Sequence, residues 1–190
     1  MKVIVYTRPD GGLSVVHPAP WARLCKAITP PEAERETFAP RPFDQLVREH
    51  GTPDLQPEWA ETEQAFAERI RAKDVPADAT DVQIVDQAAL PADRDFRAAW
   101  KAGTGAVQID MPKAVEIHKD RLRALRAPLL EALDVQAMRA LEAKDEAALA
   151  EIATRKQALR DVTKAAEIAA ATTPEELKAA VPAVLVEAGK

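Results

Sequence analysis

The sequence predicts an α+β protein: a small antiparallel sheet with packed helices, then a kinked α-helical hairpin and a short C-terminal helix. Three observations carry that expectation. Two β-rich runs, KVIVYT at 2–7 and LSVV at 13–16, flank the turn Arg8-Pro9-Asp10-Gly11-Gly12, as in a β-hairpin. From Asp110 onward the apolar residues recur at three, four and seven rather than two, which is the helical period. Only 4% of residues are aromatic and alanine inflates the hydrophobic 47%, so the cores should be thin. The expected division is a small α+β domain over 1–109, with a proline-rich loop at 18–57, and a helical domain over 110–190.

A two-stranded hairpin is marginal alone, and Val82, Ile84 and Val85 in TDVQIVD supply the expected third strand over 81–86. Between them the prolines of 18–42 predict loop, with one short helical turn near Trp21 to Ala27. Phe43 to His50 reads as a short helix closed by Gly51. Over 57–73 Trp59, Phe66 and Ile70 fall close to one helical face, which predicts an amphipathic helix packed on the sheet. After Pro91-Ala92-Asp93 a short helix should hold Phe96 and Trp100 at i and i+4, both anchored in the N-terminal core. A short strand over 106–109 follows the Gly103-Thr104-Gly105 turn.

Asp110 is the expected N-cap of a long helix with Pro112 in its first turn. Its apolar seam reads Val115, Leu122, Leu125, Leu129 and, after a slip of register, Leu133 and Leu141, with a bend at Pro128. The segment 142–146 is the expected reversal. Leu149, Ile152 and Leu159 then mark a second helix to about Val162, its seam interrupted by Lys156. Thr173-Pro174-Glu175-Glu176 matches a capping box, so a terminal helix should run to about Val181 and fray after Pro182.

A net charge of -5 and a pI near 5.3 give a field that repels nucleic acid and anionic lipid, so no nucleic-acid or membrane partner is expected. No run of about 18 apolar residues could span a bilayer, and the N-terminus lacks the long apolar core of a signal peptide. Cys25 is the single cysteine, so no intramolecular disulfide can form and a soluble intracellular product is expected.

No residue pattern announces catalysis, and neither enzymatic activity, cofactor nor metal is expected. His17, His50 and His118 lack the spacings that bring metal ligands together, and each reads as structural or solvated. Cys25 reads as a partly buried thiol in a helical turn, and Ser14 lies in a strand without a nucleophile elbow. Asp10-Gly11-Gly12 is followed by a strand, where a phosphate loop needs a helix. Residues 113–126 carry Lys113, Lys119, Arg121, Arg123 and Arg126 against Glu116 and Asp120. These cations spread around the helix without interleaved aromatics, so a solvated, ion-paired helix is expected, with some arginines able to dock an acidic partner surface. The alanine and leucine seam can close as a hairpin or pair with further copies in a homo-oligomer.

Over 91–163, PADRDFRAAW followed by DMPKAVEIHKDRLRALRAPLLEALDVQAMRALEAKDEAALAEIATRKQALRDV resembles a family of small proteins encoded among the tail genes of tailed bacteriophages and proteobacterial prophages. The resemblance covers about 70 residues. It implies a tail-associated structural or assembly protein whose partners are tail or tail-fibre proteins, located in the virion tail or in the host cytoplasm during assembly. The alternative expectation is a small phage-encoded regulator or host-takeover factor that binds a bacterial protein. Phe96, Trp100, Arg121, Arg126 and Leu129 are its signature positions. No catalytic or binding residue comes with the resemblance.

Overall fold

A computed structural model describes residues 1–27, 39–50 and 57–187. It is a mixed structure of small antiparallel sheets and packed helices, the α+β class the sequence predicts. The chain forms two compact units. Met1–Arg94 cluster with Trp100–Gln108, and Asp95–Ala99 cluster with Ile109–Lys190.

The first unit is built on β1 (Lys2–Thr7), β2 (Leu13–Val16) and β6 (Thr80–Asp86), an antiparallel sheet in the order β2-β1-β6. The expected hairpin and third strand are therefore present, with Ile4 paired to Val16 on one side and Ile84 on the other. The turn closes because Gly11 adopts a φ of 75°, open to glycine without cost, while the Gly12 amide donates to the Asp10 carboxylate at 2.8 Å. Ile4, Phe66 and Ile70 form the core between this sheet and α2 (Glu63–Asp74).

Helix α2 begins later than the apolar spacing suggests. Thr62 is its N-cap, accepting from the Ala65 amide at 3.1 Å, so Trp59 stands outside the helix. Trp59 belongs instead to β5 (Glu58–Trp59), which pairs with β3 (Leu24–Ala27); β3 also pairs with β4 (Arg41–Pro42) to make a second antiparallel sheet in the order β4-β3-β5. The expected helical turn at 21–27 is thus only a 3-10 turn at Pro20–Ala22 followed by a strand. Tertiary pairing on both edges overrides the weak local preference of Leu24-Cys25-Lys26-Ala27. Helix α1 (Phe43–His50) stands where the sequence puts it, and its Leu46 packs on Cys25. Much of the proline-rich loop expected at 18–57, including Pro30-Pro31 and Gly51, lies outside the described residues.

Strands β7 (Trp100–Ala102) and β8 (Val107–Ile109) pair across a turn closed by the Gly103 amide on the Ala106 carbonyl at 2.9 Å. This corrects the expected Phe96/Trp100 helix. Only Arg97–Ala99 makes a 3-10 turn, Trp100 begins a strand, and the two rings part company. Phe96 sits in the core of the second unit, not the N-terminal one.

That second unit is the helical hairpin. Helix α3 (Met111–Glu142) starts at Asp110, whose carboxylate accepts from the Lys113 amide at 3.2 Å, and runs unbroken through Pro128. Proline removes one hydrogen bond, to the Ala124 carbonyl, and Ala124 is exposed, so water can take its place. The chain reverses at Lys144, which takes a φ of 55°, and α4 (Glu146–Asp161) is capped by Asp145 on the Ala148 amide at 2.9 Å.

Leu122, Leu133 and Ala140 of α3 face Ile152 and Leu159 of α4, with Phe96, Ile168, Leu177 and Leu185 closing the core. Leu125 and Leu141, expected in the seam, are exposed. Spacings of eleven and seven carry Leu122 to Leu133 to Ala140 on one side, and a shift of one residue takes Leu141 off it. Lys156 keeps its place in the seam by reaching Asp134 at 2.6 Å, its side chain only 14% exposed.

Beyond α5 (Ala166–Ala170), the expected capping box is present: Thr173 and Glu176 satisfy each other's backbone amides at the start of α6 (Pro174–Ala179). After Pro182 the chain does not fray but forms α7 (Ala183–Glu187), held by Leu185.

Candidate interaction surfaces

The groups most often used in chemistry are dispersed. His17 is exposed beside the first hairpin, and the His50 side chain lies outside the described residues. His118 is 4% exposed on α3, and its Nε2 lies 3.0 Å from the Ala180 carbonyl. A carbonyl only accepts, so Nε2 carries the proton and the ring pins the end of α6 to α3. Cys25 is fully buried; burial raises its thiol pKa, the nearby Glu58 adds to that, and Arg23 opposes it. The thiol is therefore held in its protonated, weakly nucleophilic form. Ser14 accepts from Arg8 at 3.1 Å. Among the described residues no group of three or more His, Cys, Asp or Glu side chains is arranged to hold a metal ion.

Four of the five cations of 113–126, Lys119, Arg121, Arg123 and Arg126, are engaged within the second unit. Arg126 donates to the Arg160 carbonyl at 2.7 Å and so satisfies the end of α4, where the helix dipole favours a cation. Arg121 donates to the Asp95 carbonyl and stacks on Phe96 at 4.9 Å, fastening that segment to α3. Lys119 pairs with Glu116 at 2.8 Å and Arg123 with Asp120 at 2.6 Å, both one turn apart on α3. The signature arginines are internal staples, which a run of alternating charge does not reveal.

Among the described residues Met1, Leu125, Val181 and Val186 are exposed, and two further groups of large apolar side chains are turned outward. On the first unit Trp21 is 58% exposed, and the partly exposed Trp59 has the Arg23 guanidinium over its ring at 4.5 Å and the tilted Phe43 ring at 5.6 Å. A node beneath them holds this surface. Glu61 accepts from Arg69 at 2.6 Å and from the Leu24 amide at 2.8 Å, while Arg23 donates to the Glu61 carbonyl at 2.7 Å. Burial pushes the Glu61 carboxyl pKa up, but the bonds from Arg69 and Leu24 and the charge of Arg23 outweigh it and leave it below the ordinary value.

On the second unit, Val135, Met138 and Leu141 are 53%, 60% and 59% exposed. At about 100° per residue they form a strip on the side of α3 turned away from Leu133 and Ala140. Sequence reasoning counted Leu141 in the seam and passed over Val135 and Met138. The signal for them was their i, i+3, i+6 spacing.

No protein-family model, curated protein or solved structure matches the chain. No helix among the described residues is long and apolar enough to cross a membrane.

Proposed function

We propose that the chain is a non-enzymatic contact protein of a phage or prophage tail module, acting as a structural part of the tail or in its assembly. The observation that carries this reading is the outward strip of Val135, Met138 and Leu141, three large exposed apolar side chains gathered on one helix face, as at a contact site. The likeness of 91–163 to tail-module proteins supports it from the sequence side. Arg121 and Arg126 support it too, because they brace the hairpin from within and leave its outer face to others.

Mass spectrometry of purified particles, with pull-down of tail and fibre proteins by the tagged chain, tests the reading. A tail part is recovered in particles, and an assembly factor binds fibre without remaining in them. A monomer that binds no tail or fibre protein overturns the proposal.

A further inference from the structure

We infer that the outer face of the C-terminal half of α3 docks a basic amphipathic helix of a partner protein. The inference rests on the contact reading above and names the chemistry of the partner.

Val135, Met138 and Leu141 supply the apolar ridge, with unbranched methionine at its centre able to adapt to an opposing side chain. Carboxylates frame it: Glu131 one turn before Val135, Asp134 next to it, Glu142 just after Leu141, and Asp145 beyond the reversal that ends α3. Asp134 and Asp145 are engaged, with Lys156 and the Ala148 amide respectively. Glu131 and Glu142 make no ion pair among the described residues and lie on the exposed side. Over 131–145 the cations are only Arg139 and Lys144, so the frame is acidic.

That charge decides the occupant. A second copy pairing antiparallel about Met138 would set Asp134 against Glu142, and a parallel pair would set each carboxylate of α3 beside its twin. Like charges so placed oppose association. A helix with an apolar stripe flanked by Lys or Arg meets the same frame with attraction, in the helix-on-helix mode of recognition. Three half-exposed side chains amount to a few hundred Å², below the roughly 800 Å² per partner of a standard stable interface, so the contact is weak and salt-sensitive.

The test uses the full chain and a fluorescent 18-residue Leu/Lys peptide with one leucine stripe, followed by anisotropy. A Leu/Glu peptide with the same stripe and a scrambled Leu/Lys peptide are the controls. The stripe peptide binds with micromolar affinity, Met138→Gln weakens it at least about tenfold, as expected of a central contact residue, and the double change Glu131→Gln with Glu142→Gln weakens it about fivefold and flattens its salt dependence. All three positions are exposed, so circular dichroism of the variants should match the parent. Equal binding of the scrambled peptide, equal binding by Met138→Gln, or no binding overturns the inference, as does a dimer that Met138→Gln dissociates. If the peptide result fails while the chain still accompanies tail particles, the docking strip falls and the tail reading stands. The converse result removes the tail reading and leaves the strip.

Discussion

Glu61 ties a strand to a helix through a carboxylate that is only 11% exposed, and its chemistry gives the first unit a defined response to acid. Its folded pKa lies below the ordinary 4.5, so its stabilising contribution is fully present above that value and is lost as pH falls through the lower, folded one. Glu61→Gln should therefore lower the unfolding free energy from denaturant titration at neutral pH by about 1–3 kcal/mol, as for a buried charged hydrogen-bond partner, and should also flatten the loss of stability below pH 4.5. A parent and variant with parallel acid limbs would contradict this. Nothing in the sequence announces Glu61, because its partners Leu24 and Arg69 lie 37 and 8 residues away and only the fold brings them together.

Local signals proved readable at the level of elements. Asp110 and Thr173 cap the helices expected of them, since a cap is written within four residues. Thr173→Ala should cost α6 about 0.5–2 kcal/mol, seen as faster amide exchange at Leu177 with α4 unchanged; equal exchange would show that burial of Leu177, not the cap, holds the turn. Strands β4 and β5 were not legible. Each has two residues, and its existence depends on pairing with β3 rather than on its own composition. Trp59 misled for a related reason, because its seven-residue spacing to Phe66 imitates a helix that Thr62 starts three residues further on. The outward turn of Val135, Met138 and Leu141 is not legible because alanine fills inward positions of α3: beside Ala140, periodicity alone cannot say that Leu141 is the outward neighbour.

For the molecule as a whole, the order of units differs from the order of residues. Asp95–Ala99 join the helical unit, the next stretch returns to the sheet unit, and Ile109 begins the helices again. Phe96 is 1% exposed in the helical core and Ala99 accepts from the Asp110 amide at 2.8 Å. A fragment of residues 110–190 should therefore melt with less cooperativity than 95–190, short by about the 3–5 kcal/mol typical of deleting a buried phenylalanine. Equal melting temperatures for the two fragments would refute this.

The excursion of Asp95–Ala99 also bears on inheritance. A recombination joint at the start of the long helix would move the hairpin without the aromatic ring that fills it and without the carbonyl that Arg121 clasps. A joint upstream of Asp95 keeps both, and the hairpin then travels with the strand pair that follows Ala99.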